Sequence, residues 1–334
     1  MQLWILLAGI ASAQPSLDES DALLDACERG AAASCGELGA RHLGGIGVPV
    51  DVPRAVDLIS RGCDGGDPKS CTHLGVVKLS GTVTPADRPG AARLFDASCK
   101  AGSGEACHYL GMQYLLGMGV TPNPDLARAH NLTACQRHVA GGCGALAGMI
   151  EAGLSFPVDM ELAATMRGRA CEWGDLYSCA MLGSMLMERV DEAGAVQRAG
   201  ALLLKACKGN EASGCVHLGD LVGAGKLTDE MGADPVGMYS RAAELGEEGC
   251  KAGDIIGCMS QVESLFKLKR AEDAGALARM LRPRLETECR NGDVQGCLLL
   301  ETLCEETWGG VQDPSAAADA RRHACALGAK TACP

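Results

Sequence analysis

The sequence predicts an all-α fold, a right-handed α/α solenoid of helical hairpins, and three observations carry that expectation. Eighteen of the nineteen cysteines fall into nine pairs eight positions apart, the pairs recur about every 36 residues, and glycine stands at fixed offsets from them. The pairs are Cys27 and Cys35, Cys63 and Cys71, Cys99 and Cys107, Cys135 and Cys143, Cys171 and Cys179, Cys207 and Cys215, Cys250 and Cys258, Cys289 and Cys297, and Cys325 and Cys333. From Cys27 to Cys207 the first members recur every 36 residues; the later steps are 43, 39 and 36. A fixed period of this length marks an array in which each unit buries its apolar face against its neighbours.

The chain begins with an apolar run, Leu3 to Ala11, followed by Ala11-Ser12-Ala13, the A-x-A form of a signal-peptide cleavage site. Residues 1–13 therefore read as a signal peptide, with a buried N-terminal strand or helix as the alternative, and the protein is expected to be exported to the periplasm or the medium. The run is far shorter than the ~20 residues that span a bilayer, so no membrane span is expected. Residues 14–34 read as a capping helix, Leu17 to Glu28, and the first turn.

The repeat array then occupies residues 35–334. The third residue after the first Cys of a pair is Gly30, Gly66, Gly102, Gly174, Gly253, Gly292 or Gly328, and otherwise His138 or Asn210. A residue with positive φ just past a helix end is a C-terminal stop, and His and Asn share some of glycine's tolerance for it. The first Cys thus belongs to the last turn of one helix and the second Cys opens the next. Leu and Gly follow three and four positions later, as in Leu38-Gly39, Leu74-Gly75, Leu110-Gly111, Leu182-Gly183 and Leu218-Gly219, with Leu146-Ala147 a near match. Glycine inside a helix costs ~1 kcal/mol relative to alanine, so its recurrence predicts close approach of a second helix backbone. Gly loops such as Gly44 to Pro49 then lead into an Ala-rich second helix. About eight hairpins result. After Cys207 the register loosens, residues Gly225 to Gly237 read as a loop insertion, and Leu-Gly gives way to Gln261-Val262.

Paired spacing, the export signal and a short turn between helices predict nine disulfides; buried thiols and metal ligation are the alternatives. Zinc sites use closely spaced cysteines and four converging ligands, whereas a whole hairpin separates one pair from the next, so no metal is expected. Cys304 has no partner at this spacing. It lies seven residues after Cys297, on the same helix face, and reads as a buried thiol, with an intermolecular bridge as the alternative.

These residues carry a resemblance to the Sel1-like repeat family, in its cysteine-rich branch first known from Helicobacter. The matching features are C-x2-G-x4-C-x2-L-G, the G-x-G-V loop (Gly45-Ile46-Gly47-Val48, Gly117-Met118-Gly119-Val120) and the downstream alanines Ala55, Ala91, Ala127, Ala163 and Ala199. The resemblance implies TPR-like hairpins. It also implies β-lactamase or penicillin-binding activity as an alternative function, a hydrolase reading that no motif independently supports. Ser264-Leu-Phe-Lys267 has the S-x-x-K form of serine enzymes, yet S-D-N is absent and only Lys330-Thr331-Ala332 approaches K-T-G.

Composition narrows the partners. A net charge of −12 spread along the chain disfavours nucleic acid and anionic membranes. No phosphate-binding loop joins a strand to a helix, and no cofactor is expected. Aromatic residues make up only 3%, which suits closely packed small-residue helices. Asn131-Leu132-Thr133 has the form of a glycosylation sequon but falls within a predicted helix. A curved array offers an extended concave face for peptides or proteins. Glu37, His73, Tyr109, Met181 and His217, each two residues after a second Cys, are the candidate contacts there.

Overall fold

The computed structural model describes residues 17–81, 85–188, 194–227, 234–308 and 312–333, and among these it contains helices and no strand. The signal-peptide expectation lies outside the described residues. A leading helix, α1 (Leu17–Glu28), precedes the hairpins. They are α2 (Ala32–Gly44) with α3 (Val52–Asp64), α4 (Pro68–Ser80) with α5 (Arg88–Lys100), α6 (Gly104–Leu116) with α7 (Pro124–Gln136), and α8 (Ala140–Glu151) with α9 (Met160–Glu172). Then come α10 (Leu176–Met187) with α11 (Ala195–Lys208), α12 (Ala212–Gly223) with α13 (Pro235–Lys251), α14 (Ile255–Lys267) with α15 (Ala271–Arg290), and α16 (Val294–Glu305) with α17 (Pro314–Ala326). A 3-10 turn, Lys330–Ala332, follows. The fold is a right-handed α/α solenoid of hairpins stapled by disulfides. Its packing divides into two compact units, one up to Arg137 and one from His138.

Local chemistry sets the helix limits. Asp51, Asp87, Asn123, Asp159, Asp234 and Asp313 cap the second helices by accepting backbone N–H groups two or three residues ahead. Proline in the first turn of α3, α5, α7, α13 and α17 removes a donor that the helix would leave unpaired. The stops fall where the sequence places them: Gly102 has φ 107°, and His138 and Asn210 take φ 60° and 69°. The two non-glycine residues sit in the narrow left-handed well that L residues tolerate, whereas Gly102 lies beyond it.

The core of each hairpin is a repeated contact between its helices. Ile59, Phe95, Asn131, Arg167 and Leu203, spaced 36 apart, are all buried. At Gly39 an added Cβ would lie 2.7 Å from Ile59 and 2.8 Å from the Ala55 carbonyl oxygen, so a helix backbone does approach there. At Gly75 the expectation needs correcting: the nearest group is the Phe95 ring, 2.5 Å from such a Cβ. Glycine there makes room for a large side chain, not for a second backbone. Where Ala147 replaces glycine, the opposing residue is Arg167, which threads past to pair with Glu151 (Nη2 to Oε2, 2.7 Å; Nε to Oε1, 3.0 Å).

The second unit is less regular. α13 has 17 residues where α3, α5 and α7 have 13, and the additional residues between Cys207 and Cys250 fall after Tyr239, within this helix and not in the expected loop. Tyr239 still follows Leu203 by 36 residues and packs on Gly219. One hairpin later the close approach reverses. Gly246 of α13 now faces the α14 backbone, where an added Cβ would lie 2.8 Å from Gln261 N and Gly257 O. That reversal explains how Gln261-Val262 replaces Leu-Gly, with Val262 fully buried. In the same unit the C-terminal turn returns to the α8–α9 loop: Thr331 donates from its backbone N–H (3.5 Å) and hydroxyl (3.4 Å) to Ala152 O.

Candidate interaction face and its disulfide turns

Eight disulfides are formed between cysteines eight apart, with Cα–Cα separations of 4.4–4.9 Å. Cys135 and Cys143 are also disulfide-bonded. Apart from Cys325–Cys333, whose second member follows the 3-10 turn, each described bridge joins the last turn of one helix to the first turn of the next, across a left-handed residue and a capping residue such as Asp67, Ser103, Asp254 or Asp293. A feature that the sequence reading missed covers several of these turns. Arg61 donates to Cys27 O (3.5 Å), Arg137 to Cys99 O (2.9 Å) and Lys205 to Cys171 O (2.9 Å), so a cation from the following hairpin meets the negative end of the preceding helix. A basic residue two positions from the next Cys was the available signal.

The five candidate contacts occupy equivalent positions on first helices and are all partly buried. First helices of successive hairpins touch, α2 with α4, α10 with α12 and α12 with α14, whereas among the second helices contact is found for α15 with α17. In the first unit Glu37 and His73 line one cavity of about 320 Å³ together with Leu23, Asp67, Lys69 and Ser70. Glu37 lies 3.5 Å from Lys69 Nζ and 3.6 Å from Arg41 Nε. Burial holds the His73 imidazole below its ordinary pKa, aided by Lys69, and its Nδ1 is buried with no hydrogen-bond partner. Tyr109 stacks on Phe95 at 5.2 Å, and burial, with Glu105 nearby, pushes its phenol up to about 12.

In the second unit Met181 packs against the core around Cys171 and Cys179. His217 sits beside a network in which Tyr239 and Lys267 both donate to Asp220 Oδ1 at 2.7 Å. Burial lowers the His217 pKa, and burial beside Asp220 raises Glu263 to about 7. Asp220, Glu263, Lys69 and Asp67 were absent from the sequence reading, although Asp220 and Glu263 each stand five residues after a second Cys.

The S-x-x-K pair does not form a nucleophile and base. Ser264 is fully buried and donates to Ser260 O (2.7 Å), while the Lys267 amine goes to Asp220. Asn131 of the sequon is likewise fully buried, donating to Ala127 O and contacting His108 Nδ1, so its amide is closed to a glycan. Cys304 is a free, buried thiol, and burial raises its pKa. His323 lies with Cys289 and Cys297 so that their ligand atoms fall within 4.8 Å of one another, but both sulfurs are committed to a disulfide. That leaves one imidazole, too few donors for a metal.

A stapled stack of helical hairpins with this repeat defines a class of solenoid, and comparison with known proteins places it. The Sel1 repeat family matches residues 32–67, 68–103 and 104–136, stretches that begin at the starts of α2, α4 and α6. Residues 32–136 thus carry three Sel1 repeats, and the cysteine pairs at repeat spacing fit the cysteine-rich branch of that family. Among solved structures it is similar to a protective antigen of uropathogenic Escherichia coli that displays an SLR fold (TM-score 0.55, 20% identity, 94% of this chain and 65% of that one). It is also similar to a Sel1 repeat protein from Oxalobacter formigenes (TM-score 0.54, 21% identity, 73% of this chain and 68% of that one). This chain therefore spans under two thirds of the E. coli chain, and at these identities the likeness is one of fold. No curated protein matches it. Among the described residues no helix is long and apolar enough to cross a membrane.

Proposed function

We propose that the protein is an exported scaffold, periplasmic or extracellular, that holds a peptide or protein partner on the concave face formed by its first helices. Sel1 repeats are interaction modules in general, and the many disulfides fit an oxidising compartment. The observation that carries the reading is the column Glu37, His73, Tyr109 on α2, α4 and α6. It repeats one register position over three hairpins and leaves partly exposed side chains of differing chemistry on adjoining helices. Such a column meets an extended ligand about every third residue, since packed helices lie ~8–10 Å apart and an extended chain advances ~3.3 Å per residue.

Site-specific photo-crosslinking in the exported compartment tests the proposal. A photoreactive residue at Tyr109 or Met181 is expected to give a discrete adduct, and one at Asp57 or Thr165 on second helices to give none. Adducts only from the second-helix positions, or from no position, would overturn it.

A further inference from the structure

The cavity between α2 and α4 has a chemistry more specific than a general protein-binding face. Glu37 is approached by two cations, but at 3.5 and 3.6 Å both lie beyond the ~2.7–2.9 Å of a charge-assisted hydrogen bond. Lys69 is largely exposed, with 64% of its side chain open to solvent, so it can swing away at little cost. Asp67, by contrast, caps α4, its Oδ2 accepting from the Ser70 backbone N–H (2.8 Å) and from the Ser70 hydroxyl. His73 Nδ1 is buried without a partner. Around that imidazole stand three carboxylates, Glu37, Asp67 and Glu105, with Lys69 the cation. Leu23 supplies an apolar wall.

A carboxylate held only by two long ion pairs, surplus negative charge and an aliphatic wall together match one kind of group. We propose that this cavity takes the cationic side chain of a lysine or arginine from the partner peptide, its head at Glu37 beside the His73 ring and its stem along Leu23. The cavity volume, about 320 Å³, admits one such side chain with its flanking amides. Lys69 is displaced to solvent when the ligand enters. This inference rests on the proposal that the first-helix face binds a peptide, and it adds which side chain the first two hairpins select.

The test is a titration of the oxidised full chain, followed by the ¹⁵N resonances of the His73 ring. The probes are N-acetyl-lysine methylamide, N-acetyl-arginine methylamide and the uncharged N-acetyl-norleucine methylamide. A saturable shift of Nδ1 is expected with the two cationic probes and none with norleucine. Glu37→Gln should weaken the cationic probes about tenfold, the loss of one charge-assisted hydrogen bond. Equal response to norleucine, no saturable response to either cation, or unchanged binding in Glu37→Gln would overturn the assignment. The two proposals fail separately. A crosslinked partner that binds wild type and Glu37→Gln equally removes this subsite and leaves the scaffold, whereas probe binding with no partner adduct at Tyr109 removes the scaffold and leaves the subsite.

Discussion

The two compact units spend the same 36-residue motif differently. In the first, every hairpin keeps the spacing, and the contact between its helices is made by Ile59, Phe95 and Asn131, each seated on a glycine. In the second, the equivalent place is taken by Arg167, then Leu203, then Tyr239, after which the helices lengthen and the glycine changes sides to Gly246. Polar groups enter with that change: the Arg167–Glu151 pair, and the network of Asp220, Tyr239 and Lys267 beside Glu263. The comparison shows that period and disulfides set the stacking, while the residue facing the glycine is free to vary and decides how polar the interior becomes.

The largest effect expected from breaking this comparison is in the second unit. Arg167 is 4% exposed, makes a two-pronged pair with Glu151 and lies 5.4 Å over the Tyr177 ring. Removing one partner of a buried pair leaves an uncompensated charge and costs about 3–5 kcal/mol. Glu151→Ala should therefore destabilise the second unit by that amount in urea unfolding followed through Trp173 and Trp308. Glu151→Ala combined with Arg167→Leu should recover most of the loss, because leucine is what Leu203 already supplies at that register.

Next comes a disulfide. In the chain-entropy model a bridge closing nine residues contributes about 2.5 kcal/mol. Replacing Cys99 and Cys107 together with serine should accelerate amide exchange across α5 and α6 and leave α2 and α3 near the wild-type rate, since a repeat array transmits loss mainly to neighbours. Uniform acceleration over the first unit would show tighter coupling than this account allows.

The units should also answer pH in opposite directions. Burial lowers the His73 pKa from 6.5, so the unfolded chain binds the proton more readily, and the contribution is intact above pH 6.5 and lost as pH falls below it. Burial raises Glu263 from 4.5 to about 7, so the folded state holds that proton, and its contribution is lost as pH rises from about 4.5 through 7. Asp220, Lys267 and Glu306 surround Glu263, and His217 nearby works in the opposite sense. Glu263→Gln isolates the effect: it should stabilise the second unit at pH 8 and leave it unchanged at pH 4, read from thermal melts at both values. The smallest expected change is Asp51→Ala, which removes the cap on α3 at Arg54 N (3.0 Å) and should cost about 1 kcal/mol.

What was legible in the sequence was local and periodic. The left-handed stops at His138 and Asn210, the limits of α1 and the disulfide turns all depend on residues within one turn of each other, so spacing alone exposes them. What was not legible depends on residues a hairpin or more apart. Nothing in the types Ile59, Phe95, Asn131 and Arg167 announces that they share one place, and only their 36-residue spacing hints at it. The cations over the helix ends, the cavity formed by Glu37 with Lys69 and His73, and the return of Thr331 to Ala152 likewise need three dimensions. The later insertion was placed in a loop because glycine suggested one. The structure puts it into α13 after Tyr239, where burial of Ala242 and Leu245 holds the added turns in the helix.

Peptide mapping of the unreduced, exported protein tests the central claim most directly, namely that successive hairpins are locked at their turns. The account predicts cross-linked peptides joining Cys27 to Cys35, Cys63 to Cys71 and so along the array, with Cys304 recovered as a free thiol. Free sulfurs at the turns, or bridges between distant hairpins, would contradict it.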